Sequence, residues 1–167
     1  MSTLSSRLTS VRCVTALTPS GWQRNCVIKF DRSGRIQSIR TDSDSVVDLC
    51  LEGAVIAGIP NLHSHAHQKV ITGRAEHRVA GQDDFWGWRE LMYRANASLN
   101  PKQLQTIAKY LYIDMLQKGY TSVAEFHYLH HQPDGSPYPD RSEMSARLLN
   151  AASEAGIAIT LLPVLYC

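Results

Sequence analysis

Ala54-Val-Ile-Ala-Gly-Ile-Pro60, running directly into Asn61-Leu62-His63-Ser64-His65, is the stretch on which the fold turns. An apolar run of this length, leading straight into histidines, predicts a buried strand that ends in a polar site. His63 and His65 are one residue apart, so on a strand both imidazoles point to the same face. Two neutral imidazole nitrogens on one rigid segment suit a divalent ion such as zinc, which activates water when a coordination position stays open. Taken alone, the pair is weak evidence, because strands also carry paired histidines for packing or hydrogen bonding. Its place at the carboxyl end of an apolar strand, where barrel enzymes keep their chemistry, strengthens the metal reading.

Downstream of the pair the texture becomes alternately helical and extended. Asn100 as N-cap and Pro101 at the first helical position open a helix whose apolar stripe is Leu104, Ile107, Ala108, Leu111 and Met115, and which stops at Gly119. Tyr120 to Phe126 follows as a strand. Asp140 and Glu143 are spaced as a capping box before a second helix, striped by Met144, Leu148, Leu149 and Ala152 and ended by Gly156. Ile157 to Leu165 gives a third apolar strand. The order strand, helix, strand, helix, strand predicts a parallel α/β sheet.

Upstream, four short β-rich runs (Ser10 to Leu17, Cys26 to Phe30, Arg35 to Ile39, Val46 to Leu51) predict a small sheet. Asp31-Arg-Ser-Gly34 supplies the turn of a hairpin between the second and third runs. This segment holds no titratable cluster and reads as scaffold. The domain reading is therefore residues 1–54 as a small β segment and residues 55–167 as β/α units.

The 167 residues are 44% hydrophobic and 19% charged, enough for one ordinary core. Lysine plus arginine exceed aspartate plus glutamate by only 17 to 15, without runs of like charge, so neither nucleic acid nor a membrane surface is expected as a partner. No apolar run approaches the roughly 18 residues that span a bilayer, and Met1-Ser-Thr-Leu-Ser-Ser-Arg7 lacks a secretory core, which makes a cytoplasmic protein the expectation. Cys13, Cys26, Cys50 and Cys167 are widely spaced and are expected reduced and buried.

Three blocks carry a resemblance: Gly58-Ile-Pro-Asn-Leu-His-Ser-His-Ala66, Asp83-Asp-Phe-Trp-Gly-Trp-Arg-Glu-Leu-Met-Tyr93 and Glu125-Phe-His-Tyr-Leu-His-His131. The first is shared widely among amidohydrolases, and the other two resemble the formimidoylglutamate deiminases of that superfamily. The resemblance runs from about Val55 to Leu165. It implies an α/β fold, the N-terminal part of a (β/α)8 TIM-type barrel preceded by a small β-sandwich segment. It implies one zinc ion and hydrolysis of N-formimino-L-glutamate to N-formyl-L-glutamate and ammonia, a step of histidine catabolism. His63 and His65 match the strand-one metal ligands, Gln68 a substrate-contacting glutamine, and Tyr128 a tyrosine at the end of strand two. Arg89, in the loop Asp84 to Arg89, is the candidate clamp for a substrate carboxylate.

Elementary chemistry is compatible with each role. A guanidinium grips a carboxylate bidentately, although the same arginine could sit on a helix surface. Gln68 offers donor and acceptor together, or could cap the chain leaving its strand. The Tyr128 hydroxyl could donate to a substrate oxygen, or be a rim aromatic. Trp86 and Trp88 are expected to anchor the loop over the site. His67, His77, His127, His130 and His131 are read as hydrogen-bonding histidines and not as ligands.

An eight-stranded barrel takes about 250 residues, and only three strands are legible after Gly58. The expectation is thus a fragment, inactive alone, with no catalytic acid or base of its own; the remaining ligands and acid/base groups would lie beyond Cys167, in an enzyme that is a homodimer when complete. Rival readings are a deaminase or chlorohydrolase of the same superfamily acting on a heterocycle, and a non-catalytic truncated fragment.

Overall fold

The computed structural model describes residues 8–42, 44–74 and 85–165. His77, Asp83, Asp84 and Cys167 lie outside the described residues. The chain forms two compact units that divide between Ala57 and Gly58.

The first unit is a four-stranded sheet. Its strands are β1 (Ser10–Thr18), β2 (Gly21–Phe30), β3 (Ile36–Thr41) and β4 (Leu49–Val55), in spatial order β3-β2-β1-β4. β1 and β2, and β2 and β3, pair antiparallel, whereas β4 returns parallel to β1. The hairpin predicted at Asp31 is present: Asp31 Oδ1 accepts from the Ser33 and Arg35 backbone N–H groups at 2.8 and 3.0 Å, and Gly34 takes a φ of +85°. β2 starts at Gly21, five residues before the run read from the sequence, because Trp22, Gln23 and Arg24 extend the ladder opposite Leu17, Ala16 and Thr15. Asp48 fastens the start of β4 to that of β1, its Oδ2 accepting from the Thr9 and Ser10 backbone N–H groups at 2.8 and 2.9 Å. Val11, Cys13, Ala16 and Cys26 form the buried core of this unit. Cys50 is exposed, contrary to the expectation for it, because it sits on the other face of β4.

In the second unit, β5 (Ile59–Ser64), β6 (Tyr120–His127) and β7 (Ala158–Pro163) lie in that order in a parallel sheet. A 3-10 turn (Ala66–Ile71), α1 (Phe85–Asn96) and α2 (Pro101–Gln117) connect β5 to β6, and α3 (Glu143–Ala155) connects β6 to β7. Asn100 caps α2 as predicted, and its side chain and that of Gln103 exchange bonds with each other's backbone N–H at 2.9 and 3.0 Å. The second predicted box differs. Asp140 Oδ1 accepts from the backbone N–H and hydroxyl of Ser142 at 2.8 and 2.6 Å, one residue early, while Glu143 turns instead to Arg147 at 2.6 Å. α2 contributes Leu104, Ala108, Tyr112 and Met115 to the core and α3 contributes Met144, Leu148, Ala151 and Ala152, with Val123 of β6 between them. Leu149 is exposed, since Ala151 takes the place assigned to it.

Two further readings are corrected here. The stretch Asp84 to Arg89, expected as a loop, is helical from Phe85 onwards. The apolar run Ala54–Pro60 is divided between the end of β4 and the start of β5, and β5 is not a buried strand: Leu62 is 74% exposed, because among the described residues β5 has a ladder partner on one side only. Gly58 just before β5 has a steric reason, since a Cβ there would fall 2.2 Å from Thr121 Cγ2 of β6.

Candidate metal and substrate site

At the carboxyl end of β5 the imidazoles of His63 and His65 converge, with their Nε2 atoms 2.8 Å apart. The tautomers follow from the neighbours. His65 Nδ1 lies 3.2 Å from the Phe126 carbonyl oxygen, so Nδ1 carries the proton and donates it there. His65 Nε2 is left as an acceptor, and His63 Nε2–H donates to it. A tetrahedral zinc ion with nitrogen ligands at about 2.05 Å separates two of them by about 3.3 Å, so replacing the shared proton by the ion takes an opening of only about half an ångström. The carbonyl behind His65 is the kind of outer partner that fixes a ligating ring. The residues present therefore fit two positions of a zinc site, and among the described residues no third His, Cys, Asp or Glu joins them. Burial, opposed by the Phe126 carbonyl and helped by His63, lowers the His65 pKa, which keeps the ring neutral and ready for a cation.

Aromatic rings wall the pair. The Phe126 ring stands 4.4 Å from that of His63, and Tyr128 stacks on His65 at 5.2 Å and 28°. Phe126 lies near the end of β6 and Tyr128 just past it, at the same parity. The other parity, Val123, Glu125 and His127, is buried.

Gln68, Arg89 and Tyr128, the three substrate-binding candidates, are each half-buried and line one cavity of about 360 Å³ together with His65. Gln68 comes from the 3-10 turn, Tyr128 from just past β6, and Arg89 from α1. Arg89 Nε donates to the Tyr93 hydroxyl at 3.0 Å, and its guanidinium lies over the rings of Tyr93 and Trp86 at 5.1 and 5.4 Å. Stacking against aromatic faces fixes the plane of the guanidinium. Trp88, expected over the site, lines the same cavity from α1, together with Met92 and Asn96, which were not singled out from the sequence. Their signal was there, a spacing of four residues that puts all three on one helix face.

The remaining histidines divide as the hydrogen-bonding reading requires only in part. His130 Nε2 meets the Val164 carbonyl at 3.0 Å. His67, 3% exposed, is held near pKa 4 by burial and by His65, and His127, 1% exposed, is held near 3 by burial and by His130 and His67. Glu125, also 1% exposed, was missed altogether. Burial raises its carboxyl pKa against the lowering effects of the Ala66 N–H, Ser64 and Tyr112. The Tyr112 hydroxyl faces this carboxyl across the core without the geometry of a hydrogen bond.

The chain is 54% identical over 153 residues to formimidoylglutamate deiminase of Pseudomonas aeruginosa, a match that takes in 90% of this chain and 33% of the relative. The chain is thus similar in sequence to part of a formimidoylglutamate deiminase. It spans about a third of the length of that deiminase. A crystal structure of an amidohydrolase from Brucella melitensis superposes with a TM-score of 0.84 at 44% identity, over 92% of this chain and 34% of the other. Atrazine chlorohydrolase from Arthrobacter aurescens, complexed with zinc, superposes with a TM-score of 0.71 at 18% identity, over 91% and 34%, which shows likeness of fold. No family model matches the chain. The mixed α/β architecture of this chain is thus that of about a third of its amidohydrolase neighbours, whose fold is a TIM barrel, as the resemblance implied. Among the described residues no helix is long and apolar enough to cross a membrane.

Proposed function

We propose that this chain forms the metal-pair end of a zinc-dependent enzyme that hydrolyses N-formimino-L-glutamate to N-formyl-L-glutamate and ammonia, a reaction of histidine catabolism in the cytoplasm, carried out by a homodimeric parent of which residues 1–54 form a β-sandwich segment and residues 55–167 the first β/α units. The observation that carries this reading is the convergence of His63 and His65 at 2.8 Å beside a cavity lined by Gln68, Arg89 and Tyr128. When bound, zinc supplies Lewis-acid activation of water near neutral pH.

The chain's own residues bind and orient. His63 and His65 would hold the ion, the second locked by the Phe126 carbonyl. Arg89, its plane set by Trp86 and Tyr93, grips a carboxylate of the dianionic substrate, for which a planar, permanently charged fork is suited. Gln68 offers an amide to the amidine nitrogen or the second carboxylate, and the Tyr128 hydroxyl offers a donor from the opposite wall. Tyr128, stacked on His65, and Phe126, tilted against His63, wall one side of the imidazole pair. The acid and base that move protons to departing ammonia are expected in the part of the parent beyond residue 167. Arg89 favours a glutamate-derived substrate over a neutral heterocycle, which has no carboxylate to offer.

The test is a hybrid in which this chain is continued by the remaining two thirds of the Pseudomonas deiminase. Ammonia release from N-formimino-L-glutamate is expected, accompanied by one zinc per chain. His65→Ala in that hybrid should lower turnover at least ~1,000-fold and release the metal. Undiminished turnover in the variant overturns the assignment.

A further inference from the structure

Glu125 stands outside the roles given so far, and its surroundings are unusual for a strand residue. The ladder between β5 and β6 slips between Asn61 and Ser64, so that β5 spends three residues where β6 spends two. Such a bulge re-aims side chains and leaves backbone groups without their ladder partners. Here the histidine pair sits on and just after the bulge, and side chains replace the missing ladder bonds. Asn61 Oδ1 accepts from the His63 N–H at 3.1 Å, and Glu125 Oε1 accepts from the Ala66 N–H. The next residue of β6, Phe126, holds the His65 ring through its carbonyl. Two successive residues of β6 therefore grip the strand end on either side of one imidazole, the first by the backbone after it and the second by the ring itself. Glu125 is 1% exposed and its second oxygen, Oε2, has no hydrogen-bond partner. An apolar residue would fill that place at lower cost, so packing alone does not account for a carboxyl there.

We propose that Glu125 is the positioning residue of the metal pair, the side chain that fixes the bulged end of β5 and so sets the aim of His63 and His65. The proposal rests on the metal reading given above. What matters in it is the place of an acceptor oxygen and not the charge, which sets opposite expectations for two conservative variants. Glu125→Gln keeps an oxygen at the same reach from Ala66. Glu125→Asp keeps the carboxyl and withdraws it by one methylene.

Zinc itself is the probe, with affinity measured on the full 167-residue chain by competition with a chromophoric chelator, and with amide exchange at Ala66 followed by NMR as a readout independent of metal. E125D is expected to weaken zinc at least ~10-fold, the usual scale for an outer partner, and to speed exchange at Ala66. E125Q is expected to stay within about threefold of the unsubstituted chain in zinc affinity and to keep the amide protected. Wild-type behaviour of E125D in both readouts, or an equal loss in E125Q, overturns the proposal. If E125D does not fold, E125Q decides by the same threshold. If the unsubstituted chain takes up no zinc while Ala66 exchange follows the expected pattern, the metal reading fails and the anchor stands.

Discussion

The two units differ in what they bury: both carry surface carboxylates lowered by hydrogen bonds, Asp134 and Asp140 among those of the second, but among the described residues only the second buries a carboxyl and imidazoles. In the sheet of β1 to β4, the carboxylates of Asp31, Asp42 and Asp48 lie at the surface, close turns and strand starts, and are pushed below the usual carboxylate range chiefly by hydrogen bonds from Ser33, Ser45 and Thr9 respectively. In the unit built on β5 to β7, Glu125 is buried with its pKa raised, and His67 and His127 are buried with theirs lowered, all three towards the neutral form. The first pattern is that of a scaffold, where charge satisfies loops at little cost. The second holds polar groups out of water, which a protein tolerates where the position of those groups matters.

The largest effect that would sharpen this contrast is on packing. Leu148→Ala removes a side chain only 1% exposed, at the contact of α2 with α3, and should cost about 2–5 kcal/mol in a denaturant melt. Val11→Ala, at the smaller core of the first unit, should cost about 1–2 kcal/mol. Equal costs would mean the two cores are alike after all. On the functional side, Arg89→Ala in the hybrid enzyme should raise KM for N-formimino-L-glutamate about 10- to 100-fold, the value of a charged hydrogen-bonded pair, while a heterocyclic substrate would be indifferent.

Acid separates the units by window. His127 has a folded pKa of about 3 against about 6.5 unfolded, so between these values the unfolded chain binds a proton that the folded chain refuses, and stability falls as pH drops through that range. Glu125, with its pKa raised, works the other way, which makes a variant necessary to isolate the histidine. The aspartates of the first unit lose their contribution only once pH falls below about 4. Hydrogen exchange should therefore show β6 amides losing protection between pH 6.5 and 4.5, before those of β1 and β2, and His127→Gln should flatten that early loss. Simultaneous loss in both sheets, unaltered by the substitution, would contradict the assignment. The smallest effect is that of Asn100→Ala, which removes one half of the box that starts α2 and should cost about 1 kcal/mol of stability by thermal melt.

Legibility from the sequence followed the range of the forces involved. Caps, stops and periodicity act within one or two turns, so α2 and α3 and the strands before and after them were readable, and so was the shared face of His63 and His65, which needs only a period of two. Elsewhere the reading failed: residues 84–89 were read as a loop, although the spacing of Trp88, Met92 and Asn96 is helical. The division of the apolar run at residues 56–58 was equally hidden, because hydrophobicity does not say which of two sheets a residue joins.

The sequence by itself thus determined the order of elements, the parallel α/β class and the pairing of two imidazoles at one strand end. Tertiary structure alone decided that β5 is bulged, that Glu125 is sealed behind it, and that Arg89, twenty-one residues beyond Gln68, reaches the same cavity. A side chain's parity is a property of its own strand, whereas its burial and its partners depend on what other segments bring over it.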